Sequence, residues 1–309
     1  MRVIVVGLGI QGKKRVHFAG KDVVATVDID HPDAKYRDVR QVPLVDYDAA
    51  LVCTPDGAKL EILRHLLTNG KHALVEKPLI GPDNAGIKEL ITLATANRVS
   101  CYTAYNHRFE PHIVRLKEAL DAGRLGQIYQ AKFFYGNGTA RDVRNSPWRD
   151  KGTGILPDLG SHLLDMVHFL FGEAGYRFQP WSFDRYENKA FDHMHFASRG
   201  PHTSAAPAVV DLEATLLSWR NNFRADIYAE HGSAHISSLC KWGPSSFTMY
   251  QRILPSGRPN EETITLTCPD PTWQAEYAHF KRQCTTGASN LRNDLWINDT
   301  LNGLTTQVC

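Results

Sequence analysis

Apolar residues in the first hundred positions fall into short runs rich in β-branched side chains: Val3 to Val6, Val23 to Val27, Ala50 to Cys53, Ala73 to Val75 and Val99 to Tyr105. Continuous runs of this length predict strands buried on both faces. Between them, Gln11 to Ala19, Lys59 to Asn69 and Ala85 to Asn97 repeat apolar positions every three or four residues, which predicts crossover helices. Strands alternating with helices in this way make a parallel sheet covered on both sides.

After Asn106 the rhythm changes. A helix is predicted from Pro111 to Ala122 and a strand near Ile128 to Phe134, then a loop rich in Gly and Arg and a helix from Gly160 to Phe171. Leu212 to Trp219, Phe223 to Tyr228, Ala234 to Ser237 and Thr263 to Leu266 read as strands broken by Gly and Pro, and Ala197 to Ala208 as an exposed loop. The pattern predicts an α/β protein with an N-terminal domain of the doubly wound Rossmann type, residues 1–107. It is followed by an α+β domain, residues 108–309, built on a large, mostly antiparallel open sheet.

Composition changes this picture little. A chain of 309 residues with 42% hydrophobic content can bury two cores. The 35 basic residues are interspersed with 33 acidic ones for a net charge of +2, so neither nucleic acid nor a membrane surface is the expected partner. Six widely spaced cysteines without a C-x-x-C pair predict free thiols in a reducing compartment. No apolar run approaches the roughly 18 residues of a membrane span, and Val3 to Val6 already reads as a core strand instead of a leader, so the expected location is cytoplasmic.

The first chemistry lies between the first strand and first helix. Gly7-Leu8-Gly9-Ile10-Gln11-Gly12 has the G-x-G-x-x-G spacing, in which the glycines allow a tight turn, close approach of backbone to a pyrophosphate, and close packing of helix on strand. Asp28 ends the second strand, where a carboxylate can accept hydrogen bonds from the adenosine ribose. Ile29 and Asp30 follow it and offer no basic partner to a 2′-phosphate, which favours NAD over NADP. Thr54-Pro55 and Glu76-Lys77-Pro78 fall at the carboxyl ends of later strands, the ligand-binding edge of an open α/β sheet. On position alone a lysine in such a turn is as readily a solvated one.

Taken in order, these motifs together with Asn106-His107-Arg108-Phe109 and Asp158-Leu159-Gly160-Ser161-His162-Leu163-Leu164-Asp165 resemble the Gfo/Idh/MocA family of sugar and cyclitol oxidoreductases. The likeness continues more faintly through Trp219, His231-Gly232-Ser233 and Glu276 to Phe280. It implies that Lys77, Asp158 and His162 form the catalytic group. An imidazole with a pKa near about 6.5 suits removal of a hydroxyl proton at neutral pH. A fixed ammonium would stabilise the charge that develops on the reacting oxygen, and the sequence leaves open whether Lys77 or His162 takes the proton. The resemblance further implies that Gly7, Gly9, Ile10, Gln11, Gly12, Asp28, Thr54, Pro55, Glu76, Lys77 and Asn106 hold the cofactor. Arg108, Trp148 and Arg149 join Lys77, Asp158 and His162 at the substrate. One departure is Lys59, where many members have a histidine.

Other residues carry weaker signals. Arg141, Arg144 and Arg149 give the loop before Asp158 guanidinium forks suited to phosphate or carboxylate, so it reads as a grip for a nucleotide-sugar diphosphate or for the NAD pyrophosphate. The compact chain resembles nucleotide-sugar 3-dehydrogenases acting on UDP-N-acetylglucosamine. His193 and His195 share one strand face without a clear third ligand, so no metal is expected. Asp165 follows His162 on the same helix face and reads as structural. The resemblance also implies a homodimer or homotetramer built through the open sheet, with Trp219 on it. Two alternatives stay open: reduction of an aldehyde, imine or dihydrodiol, and a non-catalytic NAD-binding regulator.

Overall fold

The computed structural model describes residues 1–146, 149–173, 175–200 and 206–309. The chain divides into two compact units, the first Met1–Asn106 with Thr272–Asp299 and the second His107–Pro271 with Thr300–Cys309.

The first unit holds β1 (Val3–Val6), α1 (Ile10–Ala19), β2 (Val23–Val27), β3 (Ala49–Val52), α2 (Asp56–Thr68), β4 (His72–Glu76), α3 (Ala85–Asn97) and β5 (Cys101–Ala104). The strands pair in parallel in the order β2-β1-β3-β4-β5. β1 and β3 are buried along their whole length because both sheet faces are covered. On one face, Ile4, Val6, Ala50 and Val52 pack with Leu63, Leu66, Ile87 and Leu90 from α2 and α3. On the other, Val3, Val5, Leu51 and Leu74 would be only half covered by α1. Residues 272–299 complete that face: Tyr277 and Phe280 join the same core cluster at 2% and 0% exposure. A division at residue 107 leaves these residues with the second domain; the three crossover helices of a five-stranded sheet leave a gap that only a returning segment fills.

The second unit contains α4 (Pro111–Asp121), β6 (Ile128–Gly136), α5 (Ala140–Arg144), α6 (Ser161–Phe171), β7 (Phe178–Asp184), β8 (His193–Arg199), β9 (Val209–Thr215), β10 (Asn222–Ala229), β11 (Gly232–Ser237), β12 (Ser245–Gln251) and β13 (Asn260–Leu266). α7 (Thr272–Thr286) and α8 (Leu291–Val308) end the chain. The eight strands run β13-β12-β11-β10-β6-β9-β8-β7, antiparallel throughout except for the parallel pair β6 and β9. Side chains alternate: Phe133, Phe223, Ala225, Ile236, Leu212 and Phe196 lie on the buried face. Lys132, Arg224, Asp226, Tyr228 and His235 occupy the other.

Several expectations shift here. β8 reaches Arg199, so the segment expected as a loop from Ala197 begins inside a strand; part of it lies outside the described residues. β9 stops at Thr215, and Trp219 sits in the following turn at φ 61°, 78% exposed, instead of on the sheet face. β7 and β12 escape a hydrophobicity reading because their faces mix apolar with Ser, Thr, Gln and Pro. Among the described residues no helix is long and apolar enough to cross a membrane. The six cysteines are free thiols.

Candidate active site

The turn from β1 into α1 is shaped by what its glycines lack. Gly7 adopts φ +91°, and a Cβ there would sit 2.7 Å from the Cys53 carbonyl oxygen. A Cβ on Gly12 would fall 1.8 Å from the Gly7 carbonyl oxygen, so α1 can approach β1 only without one. Gly9 has nothing within 4 Å of that position, which leaves space beside the helix N-terminus. No side chain caps α1 and no acid lies in its first turn, so its leading N–H groups keep their affinity for an anion. Ile10 is 78% exposed and Gln11 is exposed beside it.

Asp28 closes this edge. Its Oδ2 accepts from the Leu8 N–H at 2.6 Å, and its Oδ1 from the N–H groups of Asp30 at 3.0 Å and His31 at 2.9 Å. Partial burial pushes its carboxyl up, but these three donors outweigh it and hold the group below the usual aspartate range. Asp28 is therefore a fixed anion with lone pairs to spare. Among the described residues the buried Thr54 hydroxyl has no hydrogen-bond partner, and Pro55 leads into α2 as its N-cap.

Lys77 follows β4 in a turn gripped on both sides. Before it, Glu76 accepts from Arg15 through Nε at 2.7 Å and Nη2 at 2.6 Å; Arg15 is 2% exposed and also pairs with Glu276 at 2.7 Å. After it, the Pro78 carbonyl accepts from Lys59 Nζ at 2.8 Å, and Lys59 is also bonded to Asp56 at 2.6 Å. Burial pushes the Lys59 ammonium below its ordinary value, against the pull of Asp56. Asn106 donates to the Thr272 hydroxyl at 2.8 Å, so the residue expected at the cofactor also ties down α7.

In the second unit, Asp158 lies in a π-type turn, Leu156–Gly160, that runs straight into α6, and His162 stands on the first turn of that helix. Asp158 pairs with Arg149 at 3.4 Å, both partly exposed. His162 is 8% exposed and packs against the His107 ring at 4.2 Å between centroids. Tyr135 of β6 lies 5.4 Å from His107 and 6.1 Å from His162. Burial, reinforced by the Asp158 charge, pushes its phenol upward, so Tyr135 stays protonated. Arg108, expected at the substrate, forks onto Asp165 through Nε at 2.8 Å and through Nη2, and lies over Phe169. Burial pushes the Asp165 carboxyl up while Arg108 opposes it, which makes the pair a structural brace at the α6 base. Trp148 lies outside the described residues.

Two family models match, "Oxidoreductase family, NAD-binding Rossmann fold" over residues 1–105 and "GFO/IDH/MocA C-terminal domain" over residues 113–235. The chain belongs to the Gfo/Idh/MocA family of oxidoreductases. It is 28% identical over 130 residues to inositol 2-dehydrogenase of Rhizobium meliloti (strain 1021), a stretch that is 41% of this chain and 38% of that protein. The match thus spans well under half of that relative's length. Among solved structures, levoglucosan dehydrogenase in complex with NADH superposes with a TM-score of 0.82 at 18% identity, covering 99% of this chain and 97% of that one. UDP-N-acetylglucosamine 3-dehydrogenase from Acidithiobacillus ferrooxidans gives 0.80 at 17% identity, covering 100% and 97%. At such identity these two likenesses show the fold.

For this NAD-binding family member, the residues present fit the dinucleotide: a cradle at Gly9 that side chains do not fill, uncapped helix amides, a fixed anion at Asp28 and an unpartnered hydroxyl at Thr54. Motif reading quoted His107 without giving it a role, and it did not single out Tyr135, Arg15 or the clamp made by Lys59. The place of His107 in its motif and the substitution of Lys59 for a family histidine were the signals; Tyr135 and Arg15 come from separate elements. His195 is bonded to Asp211 at 3.0 Å. Among the described residues no cluster of three or more His, Cys, Asp or Glu could hold a metal ion.

Proposed function

We propose that the protein oxidises a secondary alcohol of a sugar, sugar nucleotide or cyclitol, with NAD as the partner. The observation that carries this reading is the buried His162, held on α6 one turn after Asp158, in a chain whose glycine turn and Asp28 fit a dinucleotide. Bound NAD supplies the hydride acceptor. The α1 amides at Ile10, Gln11 and Gly12 face its pyrophosphate, and Asp28 accepts from the ribose hydroxyls. Asp28 and Asp30 repel a 2′-phosphate, which sets NAD above NADP.

His162 accepts the hydroxyl proton and Asp158 stabilises the imidazolium that results. The Lys77 ammonium donates to the reacting oxygen, and the grip of Arg15 on Glu76 and of Lys59 on Pro78 keeps its turn from drifting. Arg149, paired with Asp158 and partly exposed, contacts the substrate in this reading. The printed substrates of similar proteins, an inositol, levoglucosan and UDP-N-acetylglucosamine, set the first panel.

The test follows NADH absorbance with these and related polyols, under NAD and NADP. The reading expects turnover of at least one cyclic polyol, at least about 10-fold faster with NAD. Silence across polyols, with NADH consumed by an aldehyde or imine instead, would overturn it.

A further inference from the structure

The buried histidine pair has a cation behind it that the chemistry above does not use. Lys241 lies in the short helical turn Cys240–Trp242 after β11, and its Nζ is 3.1 Å from His107 Nε2. An ammonium carries donors only, so Nε2 of His107 must accept; the ring proton then sits on Nδ1 and His107 is neutral. That neutral ring lies against His162, tilted to it by 32° with 4.2 Å between centroids. Trp242 closes the group, 5.6 Å from Tyr135 and 4.8 Å from the Lys241 ammonium.

The turn bearing Lys241 is itself anchored. Glu110, 1% exposed, accepts from the Cys240 N–H at 2.7 Å and from its thiol at 3.0 Å. Around the pair, Asp158 is shared with Arg149, Asp165 is matched by Arg108, and Tyr135 is a neutral phenol. A proton added to His162 would therefore bring a second positive charge beside a buried ring whose other nitrogen-bearing edge already meets the partly exposed Lys241 ammonium.

We propose that Lys241, acting through His107, is a positioning residue that holds His162 as the neutral imidazole a proton acceptor has to be. The idea rests on His162 being the base, yet it can be read without turnover. In the full-length protein labelled at histidine, with His162 assigned by its loss in His162→Asn, NMR titration follows the ring directly. Lys241→Met raises the His162 midpoint by about one pH unit, and Lys241→Arg, which keeps the charge, leaves it in place. The acid limb of kcat/KM moves the same way, a loss of about 10-fold on that limb in Lys241→Met. Should Lys241→Met fold poorly by circular dichroism, Lys241→Gln serves in its stead with the same expectation. A midpoint that does not move, or one that moves equally in Lys241→Arg, overturns the proposal. A midpoint that moves as expected in a protein that oxidises no polyol removes the proposed reaction and leaves this coupling standing.

Discussion

The glycine turn of the first unit and the histidine cluster of the second place their chemistry by opposite means. The turn works through backbone: within six consecutive residues, missing side chains create a cradle and expose amides, and Asp28 is fixed by three N–H groups. The cluster works through side chains brought from β6, α6, the Asn106–Phe109 turn and the Cys240–Trp242 turn. A backbone site tolerates no atom added at its crossing point. A side-chain site tolerates reshaping, but each member tunes the others.

The sharpest way to break this contrast is at Gly12. A methyl group 1.8 Å from the Gly7 carbonyl oxygen must push α1 off β1, so Gly12→Ala loses NADH binding, by more than about 100-fold in a fluorescence titration, and also melts at lower temperature. Unchanged affinity would mean that the cradle is not where the dinucleotide lies.

A smaller effect is expected at Asp28. Asp28→Asn keeps the shape but loses the anion, weakening NAD by about 10-fold or more and narrowing its lead over NADP. The sign of its linkage to stability follows from a lowered carboxyl: the charge stabilises the fold fully above the unfolded value near about 4 and is lost as pH falls through the folded one. Melting of the native protein and of Asp28→Asn should therefore differ at neutral pH and converge below that value. Curves that converge only towards alkaline pH would refute the assignment.

Legibility follows the same divide. The parallel sheet, its crossover helices and the glycine turn could be read because each is local: one period, one spacing, one strand end. Residues 272–299 could not be placed with the first unit, since nothing in Tyr277 or Phe280 says which sheet they cover; only the exposed half-face beside α1 requires them. Lys77, Asp158 and His162 were legible as motif members. The Lys241 contact was not, because it joins positions far apart in the chain. Arg108 shows the converse: a motif arginine expected at the substrate forks onto Asp165, a contact that the motif alone does not announce.

The mildest expected change is at Lys59. Lys59→Met removes the ammonium bonded to the Pro78 carbonyl while retaining the bulk, so the Lys77 turn loosens and kcat falls a few-fold, roughly 3- to 10-fold, with NADH affinity nearly unchanged. A fall in affinity with kcat intact would move Lys59 from the reacting end to the cofactor.

The most direct measurement compares NADH formation from the best polyol in the native protein, Lys77→Ala and His162→Ala, with NADH affinity recorded alongside. Each variant is expected to lose about 100-fold or more in kcat while still binding NADH. Turnover that survives either substitution would contradict the assignment of proton and charge to these two side chains.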